Sequence, residues 1–347
     1  MKRYLFFASQ NYAYSILRPL EEEIWRRGDE VAWFLEGGST FGLAPEERQL
    51  KTFSEVFDYN PLAVFVPGNY VYDFFPGLKV SVFHGYPIRK RRREVDDYFD
   101  LRGWFDIYCT QGESSTPLFS ELSEKHRYFK VYETGWCSVD AFFSPTLPPI
   151  QRRERPVILY APTFTRGISS AWDLTDTIGR LAAEKPWDWI ISFHPKLDDP
   201  SLIAQYEAMA ERYPNVSFQR FKKGIEDLRL ADVMLADSSS VIMEFMMQEK
   251  PVVTFRNTHP GPFLLDVQKT EEVEGAIEEA LGRPASLIEE IRRYITCHEA
   301  HRDGHNSARV LDAVDDFIAH YQGHLPRKPL NLFRKLQLRW RLRYFHL

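Results

Sequence analysis

The sequence predicts an α/β protein of two Rossmann-like domains, each a doubly wound parallel sheet, facing a shared cleft. Three observations carry this. The chain has 347 residues, more than one hydrophobic core usually sustains. Short apolar runs alternate with amphipathic stretches, first in one series and then in a second. Between the series lies "FFSPTLPPIQRRERP", rich in proline and charge, as a linker is. The expected division is residues 1–148, residues 149–325 and a basic amphipathic tail over 326–347.

In the first series "RYLFFAS" reads as a buried strand, "AYSILRPLEEEIWRRG" as a helix closed by Gly28, and "EVAWFLEG" as the next strand. "LAVFVPGN", "KVSVFHG" and "FDIYCTQG" are further short apolar runs, each ending in turn residues. The second series opens with "PVILYAPTF", a helical stretch at "DLTDTIGRLAAE", the strand "WDWIISFHPK", the helix "LIAQYEAMAERY" and the strand "NVSFQRF". It closes with "ADVMLADSSSVIMEFMMQEKPVVTF", a strand, a serine loop, a helix and another strand.

Composition excludes several classes. A hydrophobic fraction of 44% and an aromatic fraction of 15% fill both cores. The net charge of -5 gives no reason to expect nucleic acid as a partner. Cys109, Cys137 and Cys297 lie far apart, which argues against disulfides or structural zinc and for a reducing, cytoplasmic location. In "MKRYLFFASQ" the apolar run is too short for a signal peptide, and no stretch approaches the ~20 apolar residues of a membrane span.

Ligands of open α/β sheets bind outside the carboxyl ends of the strands, so polar residues just after strands are the candidates. His84 follows "VSVF", suited to general base chemistry, and Gly85 allows a turn or close ligand approach. The bland alternative is a histidine bonded to a loop carbonyl. In "ISFHPK", His194 and Lys196 could bind a diphosphate, or form an ordinary strand-end turn. "YAPTFTRG" offers the hydroxyls of Thr163 and Thr165 and the fork of Arg166 for phosphate oxygens. Ser238, Ser239 and Ser240 at a strand-to-helix junction form an anion site with the backbone N–H groups, or simply an N-cap. Glu244, about one turn on, could accept ribose hydroxyls, while Asp237 is expected to cap the helix and position the loop. A nucleoside diphosphate fits this arrangement.

"CHEAHRDGHNSARV" spaces His298, His301 and His305 as on a helix, but without a zinc-like ligand set no metal is expected, and Asp303 with Gly304 reads as a ligand-contacting loop. "RKRRREVDDYFD" reads as a solvated face. In "RKPLNLFRKLQLRWRLRYFHL" there are seven Lys and Arg and no acids. Phe333, Leu336, Trp340, Tyr344 and Leu347 would share one face of a helix lying on anionic lipid, although residues 336–344 also alternate as a strand would.

Together "FHGYP", "YAPTF", "FHP", "DVMLADSSSVIMEF…KPVV" and "RDGHNSARV" resemble, in the same order, the CDP-glycerol glycerophosphotransferase family of teichoic-acid polymerases and primases, from about residue 60 to 315. The resemblance implies a GT-B fold and transfer of glycerol phosphate, or a related polyol phosphate, from a CDP-alcohol to a hydroxyl of a cell-surface glycan or polymer, releasing CMP. It implies His84 as the catalytic base, His194 on the donor diphosphate, Ser239, Ser240 and Glu244 as the donor-binding motif and Asp303 in the C-terminal DG motif. No cofactor is implied. Tyr86 stands where the family usually has threonine, and Ser238 where an aromatic residue often precedes the two serines. The alternatives are a nucleotide-sugar glycosyltransferase or epimerase on the same fold, and a catalytically silent nucleotide-binding assembly protein.

Overall fold

The computed structural model describes residues 1–37, 42–87, 98–145, 147–150, 153–194, 196–220 and 224–345. The described residues of 1–145 and 297–347 form one compact unit, and those of 146–296 a second. Most of the basic run 89–100 lies outside the described residues.

In the first unit β1 (Arg3–Ala8), β2 (Glu30–Leu35), β3 (Ala63–Val66), β4 (Leu78–Ser81), β5 (Ile107–Thr110) and β6 (Lys130–Glu133) form a parallel sheet in the order β2-β1-β3-β4-β5-β6. β1 is central, with Leu5 between Ala32 and Val64, and is buried from Tyr4 onward. A strand covered on both faces reads as an unbroken apolar run, which is why the segment imitates a signal peptide. The helices of this part are α1 (Ala13–Arg26), α2 (Phe53–Tyr59), α3 (Thr116–His126) and α4 (Cys137–Phe143).

In the second unit β7 (Val157–Ala161), β8 (Asp188–Ser192), β9 (Val216–Gln219), β10 (Val233–Ala236), β11 (Val252–Phe255) and β12 (Leu265–Val267) form a parallel sheet in the order β12-β11-β10-β7-β8-β9. With them run α5 (Thr175–Glu184), α6 (Pro200–Arg212), α7 (Ile225–Leu230), α8 (Val241–Met246), α9 (Val273–Leu281) and α10 (Ala285–His298).

After Cys297 the chain rejoins the first unit, so residues 297–325, expected with the second domain, pack with the first. The cause is visible in α11 (Asn306–His320), whose Val310, Leu311, Val314 and Phe317 are buried while α11 packs on α1 and α4. The tail is helical: α12 (Leu332–Leu342) buries Leu338 in the aromatic core of the first unit. Among the described residues no helix is long and apolar enough to cross a membrane.

Candidate functional site

Each sheet reverses its winding once, and at such switch points the loops diverge and leave room for a ligand. In the first unit the reversal lies between β1 and β3; in the second it lies between β7 and β10. His84 lies by the first of these places, and Thr163, Asp237 and the serines by the second.

At the first switch point His84, exposed, follows β4. Its Nδ1 lies 3.3 Å from the carbonyl oxygen of Pro67, after β3, and its ring packs 5.4 Å from that of Tyr12, after β1. A carbonyl only accepts, so that bond requires the proton on Nδ1 and leaves the neutral ring's lone pair on Nε2. The loop that carries His84 is braced on several sides. Phe83 holds φ at 54°, a left-handed conformation unusual for a bulky side chain. Trp136 Nε1 donates to the Phe83 carbonyl at 3.2 Å, and Gln111 Nε2 donates to the Gly85 carbonyl at 3.0 Å. Among the described residues, a Cβ at Gly85 would meet no atom within 4 Å.

Tyr86, the departure from the family pattern, donates its hydroxyl to Glu299 Oε2 at 2.6 Å. Glu299 is buried and also accepts from Trp136 N at 3.2 Å and Asn306 Nδ2 at 3.1 Å. Burial pushes its carboxyl up to about 8 against these hydrogen bonds. Gly135 makes room for it: with φ at 75°, a Cβ there would collide with Glu299 Oε1 and Asn306. Sequence reading missed Glu299, Trp136 and Gln111. The only available signal was an acid amid the histidines of "CHEAHRDGH", where the histidines drew the attention.

Asp303 also belongs to the first unit, not to the unit that carries the serines. Arg309 grips it through two guanidinium nitrogens at 2.8 and 2.5 Å, and that pairing holds its carboxyl down at about 2. Gly304 is required by backbone, since at φ 77° a Cβ would lie 2.6 Å from the Phe143 carbonyl oxygen. Among the described residues no group of three or more His, Cys, Asp or Glu side chains assembles as metal ligands.

At the second switch point Asp237 is fully buried, and its place corrects the expected cap. Its carboxylate accepts from Thr163 N at 2.9 Å, Ser170 N at 2.9 Å, Ser170 Oγ at 3.0 Å and Ser238 N at 2.7 Å. It thus clasps the loop after β7 to the serine loop. The N-cap of α8 is instead Ser240, which makes no side-chain cap bond. Burial raises the pKa of Asp237 above the usual aspartate value while the donors oppose the rise. Asn257 Nδ2 donates to the Asp237 carbonyl at 2.6 Å, and Thr258 N donates to Ser238 Oγ at 2.9 Å. Ser238 is therefore tied into the loop scaffold, whereas Ser239 and Ser240 lead into α8 with Glu244 in its first turn.

His194 follows β8 at the same end of this sheet. Its Nδ1 accepts from Lys196 N at 3.1 Å, which places the neutral ring's proton on Nε2. This is the opposite tautomer to that of His84. The ring of His194 packs 4.4 Å from Phe164, with the Lys196 ammonium 5.5 Å from the same ring. Arg166 is turned toward Trp172, 5.8 Å from its ring.

Two parallel α/β sheets with these loop sites define the chain as GT-B-like. Solved structures agree in fold: a UDP-N-acetylglucosamine 2-epimerase of Listeria monocytogenes superposes with TM-score 0.65 at 14% identity, over 92% of this chain and 97% of that one. The wall teichoic acid polymerase TagF gives 0.61 at 13% identity, over 93% and 90%. An S. aureus MnaA–UDP complex gives 0.59 at 16%, over 95% and 99%. By sequence, residues 144–316 match the CDP-Glycerol:Poly(glycerophosphate) glycerophosphotransferase family, which bears out the resemblance read from the motifs. A gibberellin 20 oxidase 1-B of Triticum aestivum is 32% identical over 100 residues. The match covers 26% of this chain and a quarter of that protein's length, too little of either to bear on fold or activity.

Proposed function

We propose that the chain transfers glycerol phosphate, or a related polyol phosphate, from a CDP-alcohol to a hydroxyl of a cell-surface glycan or polymer. The coarser statement, a transferase of the teichoic-acid type, rests on the family match over 144–316 and the likeness to TagF. The donor is suggested by that family's description and by a TagF structure soaked with CDPG. The observation that carries the reading is the hydrogen bonding of the two strand-end histidines, His84 Nδ1 on the Pro67 carbonyl and His194 Nδ1 on the Lys196 N–H.

In this reading the acceptor oxygen attacks the β-phosphorus of the donor and its proton passes to Nε2 of His84. A new P–O bond forms as the bond from β-phosphorus to the bridging oxygen breaks, and CMP leaves with the electron pair. The Nε2–H of His194, the Lys196 ammonium and the Ser239 and Ser240 hydroxyls answer the charge that builds on the diphosphate, with Thr163 and Arg166 beside them. Glu244 receives ribose hydroxyls. Positioning and charge neutralisation supply the catalysis, and the reading takes no cofactor.

The test is CMP release from CDP-glycerol by wild type and His84→Ala. Loss of a general base lowers turnover by at least ~100-fold while donor binding survives. Turnover of UDP-sugars in place of CDP-glycerol would instead support the epimerase or glycosyltransferase reading that the Listeria likeness keeps in view. Unchanged turnover in His84→Ala would remove the base.

A further inference from the structure

The helix α12 is held to the first unit by one face and leaves the other uncovered. Asp73 pairs with Arg339 at 3.0 Å and Lys335 at 3.9 Å, Glu36 with Arg341 at 2.9 Å, and Asp100 with Arg334 at 3.9 Å. Just before the helix, Lys328 pairs with Asp106 at 2.7 Å. Leu338 is buried, and Tyr344, expected on the outer face, turns inward to pack 4.3 Å from Phe74 because the helix ends at Arg343 in a left-handed conformation. Leu347 lies outside the described residues.

At 100° per residue, Leu332, Phe333, Leu336 and Trp340 fall within a quarter or so of the helix circumference, roughly opposite the face of Arg334, Leu338 and Arg341. They are between 61% and 82% exposed. Leu330 and Phe345 extend the ridge at 73% and 59%. Elsewhere among the described residues, apart from Met1, exposed large apolar side chains reach only 45%. A ridge so far outside that range has no role in the fold and marks a contact surface.

Charge identifies the partner. The stretch 327–347 carries seven cations and no acid. Among the described residues the acids that meet them are Asp73, Glu36, Asp100 and Asp106, fewer than the cations they face. The same helix borders, through Arg334, Leu338 and Arg341, a cavity of about 410 Å³ that Arg102, Asp100, Tyr70 and Trp104 also line. Guanidinium groups in a pocket with aromatic walls suit a phosphodiester.

We propose that this face docks on an anionic phospholipid bilayer. The ridge of Leu332, Phe333, Leu336 and Trp340 enters the interfacial zone, and the arginine-lined cavity receives a lipid headgroup phosphate. Tryptophan and leucine on one side of a cationic helix is the composition such binding uses. The inference is independent of the transfer chemistry.

The experiment is flotation of the full chain with vesicles of phosphatidylcholine alone or mixed with phosphatidylglycerol. Wild type partitions to the phosphatidylglycerol vesicles, less so as salt rises. The triple variant Phe333→Ser, Leu336→Ser, Trp340→Ser lowers that partition at least tenfold with an unchanged melting temperature, since these side chains are exposed. Arg102→Ala with Arg334→Ala removes the preference for phosphatidylglycerol. Full binding by the triple variant, or equal binding to both vesicle types by wild type, overturns the proposal. So does self-association of the wild type, lost in the triple variant, without vesicle binding, because the ridge would then belong to a second copy.

Discussion

Asp237→Ala removes one carboxylate and strands the donors that converge on it. Ser170 Oγ keeps Tyr160 as a partner at 2.9 Å, which leaves the backbone N–H groups of Thr163, Ser170 and Ser238. A buried donor without an acceptor costs about 1–3 kcal/mol, so the buried N–H groups of Thr163 and Ser170 with the half-buried one of Ser238 cost about 3 kcal/mol together. Removing the buried charge, whose desolvation raises its pKa, offsets part of this. Asp237→Asn separates the two effects, because it removes the charge and keeps the shape, yet turns an amide toward N–H donors. The predicted loss for the alanine variant lowers the melting temperature by about 6–12 °C, at roughly 2–4 °C per kcal/mol for a domain of this size. Thermal and urea unfolding followed by circular dichroism measures it. A loss below about 1 kcal/mol in both variants would refute the clasp and return Asp237 to an ordinary loop residue.

Other perturbations test the first unit. Glu299 has a folded-state pKa of about 8 against 4.5 for the unexposed-to-burial reference, so between these values the folded chain holds a proton the unfolded chain has lost. Its contribution therefore falls as pH rises through that window, and Glu299→Gln should gain stability relative to wild type between pH 5 and pH 8 in urea melts at each pH; a constant difference would contradict this. Trp136→Phe deletes the donor to the Phe83 carbonyl, worth about 1 kcal/mol, and should lower turnover roughly fivefold without altering donor binding; weakened donor binding would mean a different role. Thr52→Ala breaks the capping box with Glu55 at the start of α2 and should cost about 1 kcal/mol by urea denaturation; no measurable loss would show that the cap is solvated.

Strand ends were legible because a strand covered on both faces is an apolar run that stops abruptly, so His84, Thr163, His194 and the serines stood out at those stops. What the residues do to one another was not. Asp237 accepts from N–H donors 67 and 74 residues earlier in the chain, and no local pattern reports such a pairing. Glu299 reaches Trp136 across 163 residues, for the same reason. The return of residues 297–345 to the first unit was hidden because an amphipathic helix shows that it has a packed face, not which sheet it packs on. The tail's two competing periodicities were settled by its partners, Asp73, Glu36 and Phe74, which select the helix.

The central claim is that a cytidine-diphosphate alcohol is the donor and that the serine loop holds its phosphates. Calorimetric titration of the full chain with CDP-glycerol, CDP-ribitol, CMP and a UDP-sugar, repeated on the Ser239→Ala, Ser240→Ala variant, tests it most directly. The account predicts selective binding of the CDP-alcohols that the double substitution abolishes. Preference for the UDP-sugar, or CDP-alcohol binding that survives the loss of both hydroxyls, would contradict it.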